Sequence, residues 1–273
     1  MVFDCSIFHC QLHVQLEGVI MLNTFSRMPV LLVIFTAVVT AFPANRLSAQ
    51  EQDAEQDAIA LLQQMGAEIE QLDAFILTGD GYTDARLSAG QIIENASEIT
   101  MRVRRPGSMR LTNRTAEGAV EIYFSDGQLS IYSEKENFYA QTEIPEGIEA
   151  AVGFVITELG LDAPLLDFLS GDSVIAMLDN ADEVLHLGSS LVRGVIYEHI
   201  AIRTPETDVQ IWIAAEGPPL PGKMSISSKW EGGSPRFVVF INWETAPSIA
   251  AETLVFVPPS GAIKIEFDRT LVQ

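Results

Sequence analysis

The side chains best suited to chemistry are two histidines, His186 and His199, in separate segments of alternating apolar residues. Glu183 and Glu198 lie close to them in the chain, and an imidazole paired across a sheet with either carboxylate could bind a metal or act as a general base. Nothing around them completes such a site. There is no G-x-S-x-G turn for a nucleophilic serine and no H-E-x-x-H pair for zinc. Pro221-Gly222-Lys223 lacks the upstream glycine spacing that lets a phosphate loop wrap a nucleotide. The acidic residues, 37 in all, form no loop pattern that collects oxygen ligands for calcium. Most histidines of this kind are structural or exposed. The residues therefore favour a chain that is not an enzyme and needs no metal or cofactor, with a histidine-dependent hydrolase as the least favoured alternative.

A second set of side chains could bind without reacting. Phe124, Phe154, Leu159, Phe168, Trp212, Phe240 and Trp243 are candidates to line an apolar ligand cavity, with Trp230 beside them in the second half. Ligand pockets are mostly apolar and read like core in a sequence. Taken singly, each of these residues is better explained by core packing.

The elements that must position them follow from periodicity. Ile59, Leu62, Met65, Ile69 and Leu72 recur at helical steps within 51–73, and Glu51, Asp53 and Glu55 suit the first turn of a helix. The period then drops to two. Phe75 and Leu77 open it, Ile99, Met101 and Val103 continue it, and Val120, Ile122 and Phe124 run into the hairpin signal Ser125-Asp126-Gly127. Two short, strongly apolar helices are expected over 148–161 and 164–178. Strands are expected again over 183–187, 194–203, 208–215, 223–230, 236–244, 253–257 and 262–267. Tyr123 sits between Ile122 and Phe124, and Trp212 between Ile211 and Ile213, so some strands are apolar on both faces. A sheet with one wet face alternates more cleanly, so one face should meet helices and the other a core or pocket. The fold class is mainly β with helices, an α+β arrangement in one domain over 50–273.

The first 49 residues are expected to be a signal peptide region. Arg27 precedes an uncharged apolar run over 29–42, and small residues lead to a cleavage site after Ala49. The run is short for a membrane span, although an uncleaved anchor in the inner membrane is the alternative. Residues 1–20 sit awkwardly before such a signal, which points to Met21 or Met28 as the start. Cys5 and Cys10 leave with the signal, so the exported chain has no disulfide and no thiol nucleophile. The net charge of −21 disfavours nucleic acid and anionic membrane surfaces as partners. A periplasmic monomer is expected.

Three motifs then line up in order: RRPGSMRL at 104–111, YFSDGQLSIY at 123–132 and LVFVPPSG at 254–261. After an N-terminal helix, this order resembles the periplasmic carrier that ferries lipoproteins to the bacterial outer membrane. From about Asp57 onward the chain is similar to a family of predicted periplasmic proteins related to that carrier, most clearly over 171–203 and 208–227. The resemblance implies a half-open antiparallel β-barrel or curved sheet, closed by an N-terminal helix and central lid helices over an apolar cavity. It implies a hydrophobic small molecule, lipid or lipoprotein as ligand, a membrane-anchored partner protein, and a lid contact at Arg105. A related barrel serves as a sensor, so an envelope sensor or interaction module is the main alternative. Relatives often have a cysteine where this chain has Tyr197, and no match to the carrier's docking surface is legible.

Overall fold

The computed structural model describes residues 45–159, 165–169, 171–229 and 235–267. The expected apolar signal run over 29–42 lies outside them.

Helix α1 runs Asn45–Glu70, so it starts earlier than the acidic residues suggested and spans the expected cleavage position. Its apolar stripe behaves as its spacing requires. Ala58, Leu62, Met65 and Ile69 are buried at steps of three and four, with Ile59 and Leu72 half-buried beside them.

Six strands follow as an antiparallel meander: β1 Ala74–Arg86, β2 Ile92–Arg104, β3 Ser108–Thr115, β4 Gly118–Ser125, β5 Gln128–Ser133 and β6 Phe138–Glu143. The β4–β5 turn has Asp126 and Gly127 both at positive φ, 52° and 70°, the backbone twist that a two-residue hairpin demands. Next come helix α2 Ile148–Thr157, a 3-10 turn Leu166–Leu169 and helix α3 Gly171–Asp179. The second half holds β7 Glu183–Val192, β8 Val195–Arg203, β9 Thr207–Ala214, β10 Pro221–Ser228 and β11 Arg236–Glu244. A short strand β12, Ile263–Ile265, follows a 3-10 turn at Ala251–Leu254.

All twelve strands join one sheet in the order β12-β6-β5-β4-β3-β2-β1-β11-β10-β9-β8-β7. The two halves meet where β1 pairs antiparallel with β11, Leu77 opposite Trp243. The sheet is curved and open, with β12 and β7 as its edges. Every ladder is antiparallel except β12 on β6. The strand expected over 253–257 does not form. Leu254 closes the 3-10 turn, and Pro258 and Pro259 lack the N–H groups a ladder needs.

One face of the sheet carries the core. Phe75, Leu77, Ile99, Met101, Val103, Met109, Leu111, Ile122 and Phe124 are all but inaccessible and merge with the stripe of α1 and with Ile148, Val152, Val155 and Leu166 of the central helices. α1 lies against β7, α3 and the Leu166–Leu169 turn. The opposite, outer face is covered in part by the C-terminal segment. There Phe256 packs among Tyr123, Tyr132 and Tyr139 at centroid distances of 5.3, 6.0 and 5.3 Å. On β4 the apolar residues of the two faces thus have different partners, helices on one side and the returning chain on the other.

Candidate ligand site

The helical layer is fastened to the sheet at the turn between β2 and β3. Arg105 and Pro106 join in a cis peptide, and the carbonyl of Pro106 accepts the N–H of Ile148 at 2.8 Å. That bond satisfies the first free donor of α2, whose preceding Gly147 offers no side-chain cap. The Arg105 side chain then reaches two parts of the layer. One terminal nitrogen donates to the Leu169 carbonyl at 3.0 Å, and the other pairs with the carboxylate of Glu149. A planar guanidinium can hold two acceptors in fixed directions, which an ammonium cannot. Arg105 therefore ties the sheet to α2 and to the 3-10 turn at once. Its Nε is buried without a hydrogen-bond partner, as is Oδ1 of Asn113 on the helix-facing side of β3. The turn RRPG was legible in the sequence, but Glu149, Leu169 and Asn113 carried no signal.

Strand register decides where the expected cavity residues lie. Phe124 is opposite Met109 and Leu129, on the helix-facing side and 1 % exposed. Trp243 shares that side. Its ring meets Phe75 at 5.2 Å, and its indole donates to the Pro221 carbonyl at 2.8 Å. Phe154 and Leu159 reach the same core from α2 and the residues just after it. Phe168 falls in the 3-10 turn, and its side chain and Trp230 lie outside the described residues. Trp212 and Phe240 are different. Trp212 is opposite Lys223, which is opposite Phe240, which is opposite Asp80, and this row points to the outer face. Phe240 and Trp243 are three residues apart on one strand, so they cannot share a face. Phe124 and Trp243 thus share the helix-facing side, and Trp212 and Phe240 the outer one.

The helix-facing side carries the buried side chains of the core. A cavity of about 530 Å³ lies instead where β12 leaves β6, lined by Gln141, Thr142 and residues 264–267. Another, of about 170 Å³, lies on the outer face beside Tyr123, Asp126 and Phe256. Tyr123 lends its hydroxyl to Glu121 at 2.5 Å, and burial together with that carboxylate pushes its pKa well above the ordinary phenol range.

The two histidines stand on opposite faces. His186 Nε2 meets Glu198 Oε2 at 2.8 Å on the helix-facing side, and Ser189 donates to the other oxygen of the same carboxylate at 3.0 Å. Both groups spend their bonds on one glutamate, so the hydroxyl is not aligned on the imidazole as a nucleophile needs. Glu183 is taken by Arg203 at 3.2 Å. His199 stacks on Trp212 at 4.1 Å, with its Nε2 on Gln210 at 3.0 Å, and burial lowers its pKa. Among the described residues no group of three His, Cys, Asp or Glu side chains is placed to hold a metal.

The family described as "Predicted periplasmic protein (DUF2092)" matches residues 58–268. The chain belongs to that family. Among curated proteins none matches it. Solved structures similar to it include the lipoprotein LppX of Mycobacterium tuberculosis, 12 % identical with a TM-score of 0.43, covering 71 % of this chain and 98 % of that one. LprF of Mycobacterium bovis is 11 % identical with a TM-score of 0.42, covering 71 % and 95 %. A LolA superfamily protein of Nitrosomonas europaea is 9 % identical with a TM-score of 0.37, covering 73 % and 97 %. The family places the chain among predicted periplasmic proteins. No described helix is long and apolar enough to cross a membrane.

Proposed function

We propose that this is a non-enzymatic periplasmic binding or carrier protein that takes up an apolar ligand, an acyl chain or lipid, between the sheet and the helices of 148–179, with residues 50–273 acting as one unit. The observation that carries this reading is Arg105, one side chain that holds both α2 and the Leu166–Leu169 turn on the sheet. A cover that packs on the sheet through apolar side chains and is pinned by Arg105 can lift as a unit and expose an apolar lining. Each methylene of a guest buried there contributes about 0.8 kcal/mol, enough to hold a modest chain without special chemistry. A ligand ester or carbonyl could also meet the unpartnered Arg105 Nε, whose burial without a bond costs about 1–3 kcal/mol.

The test is native mass spectrometry with lipid extraction, on protein purified from the periplasm. A co-purifying acyl lipid, lost in Phe154→Asp, is expected. Arg105→Leu should speed uptake of added palmitate. Wild type and Arg105→Leu that both stay ligand-free in excess palmitate would rule the carrier out. A second reading, an envelope sensor or interaction module, draws on Leu187, Leu191, Val195 and Ile196 at the free end of β7 and β8, each at least half exposed.

A further inference from the structure

Lys223 is a cation set among aromatic rings in an acidic chain. Acidic residues outnumber basic ones by 37 to 16, so lysines have ample choice of partners. Lys135 is paired with Glu117, and Lys229 with Asp208 at 3.0 Å. Among the described residues, Lys223 is paired with no carboxylate. Its Nζ sits 3.9 Å from the ring centre of Trp212 and 5.4 Å from that of Phe240. Burial lowers its pKa, and the Arg236 charge pushes the same way. The other charged groups around it are accounted for. His199 stacks on the neighbouring Trp212. Arg193 lies over Phe240 at 4.0 Å and is engaged by Asp80 at 3.0 Å. Contact with ring faces attracts the ammonium but leaves its hydrogen-bond donors unused.

Apolar area adjoins this charge. Tyr82 meets Phe240 edge-on at 6.2 Å, and Val238 lies opposite Tyr82 on β11, all half-buried on the outer face. We propose that this outer face binds an organic anion with a flat apolar body, an aryl or acyl carboxylate, whose charge meets Lys223 while its body lies along Phe240, Val238 and Tyr82. A partly desolvated ammonium without a counter-ion gains more from a carboxylate than an exposed one does, because water screens the pair less. Aromatic neighbours supply contact area at little entropic cost. The sheet separates this site from the helix-facing one, so the two readings stand or fall independently.

Benzoate and benzyl alcohol, titrated into the ¹⁵N-labelled protein, test the proposal. The reporter is the Trp212 indole N–H, which donates to Ser190 Oγ at 3.3 Å and is assigned with Trp212→Phe. Benzoate should give a saturable shift there, and benzyl alcohol a response weaker by about tenfold or more, the loss of one charge-assisted bond. Lys223→Gln should weaken benzoate by a similar factor, Lys223→Arg should retain it, and Lys264→Gln should leave it unchanged. Should Lys223→Gln fail to fold, the ¹³C-dimethylamine signal of Lys223 in reductively methylated wild type must respond to benzoate. Equal affinity in a folded Lys223→Gln, no response of that dimethylamine signal, or shifts confined to helix-facing residues such as Leu77 and Met101 would overturn the proposal.

Discussion

At the scale of single residues, burial and register set the chemistry. His199 illustrates this. Its ring is stacked on Trp212 and partly withdrawn from water, which lowers its pKa from the model-peptide value of 6.5. Between its folded pKa and 6.5, the unfolded chain binds more protons than the folded one. Stability therefore falls as pH drops through 6.5 and levels off below the folded value. Urea midpoints measured from pH 8 down to pH 5 should show this slope for wild type and a shallower one for His199→Gln. An equal slope in both would assign the pH dependence to other groups. His199 was visible in the sequence as a possible base. Its ring partner was not, because Trp212 is thirteen residues away and only the β8–β9 register puts the two side by side.

At the scale of elements, close packing on the outer face constrains small residues. A Cβ added to Gly222 on β10 would collide with the ring of Tyr197 from β8. The φ of Gly222 is not in the left-handed region, so the obstacle is space rather than backbone strain. Gly222→Ala should therefore cost about 1–3 kcal/mol by overpacking. Tyr197→Cys, which shortens the obstructing side chain, should recover most of that loss in the double variant. Additive effects in the urea-denaturation cycle would show that the two residues do not share this space. Backbone conformation, not space, shapes the second half's hairpin. Arg193 and Gly194 both have positive φ, 49° and 86°, and the bulge between His186 and Ser189 carries Gly188 at 81°. Together they let the far end of β7 and β8 bring Arg193 to Asp80 and Ser190 to Trp212. The strand expected over 183–187 continues past the bulge to Val192.

At the scale of the whole molecule, charge and connectivity dominate. A net charge of −21 works against the compact state through self-repulsion, and screening relieves it. The melting temperature should rise as sodium chloride increases from about 10 mM to about 500 mM, a range over which the Debye length falls from about 30 Å to below 10 Å. A fall over that range would mean that local ion pairs such as Arg110–Glu121 at 2.6 Å outweigh the global repulsion. Connectivity shows in the join of the halves. β1 lies at the middle of the sheet, between β2 and β11, so the first strand after α1 carries the contact between early and late chain. The covering helices come between the halves in sequence and over the sheet in space.

The sequence by itself determined most element types, most turns and the presence of a helical layer, the strand expected over 253–257 being an exception. These depend on periods of 3.6 and two and on local backbone preferences at residues such as Asp126, Gly127 and Pro258. It also determined that some strands would be apolar on both faces. The tertiary structure alone decided which side chains share a face. Trp212 and Phe240 went outward with Lys223, while Phe124 and Trp243 went to the helices. Side-chain direction alternates with every residue, so a face is assigned only once the strand registers are known, and those depend on partners far away in the chain. The Arg105 contacts have the same origin. The turn that presents the guanidinium is local, but Glu149 and the Leu169 carbonyl lie 44 and 64 residues further on, and only the folded sheet brings them within its reach.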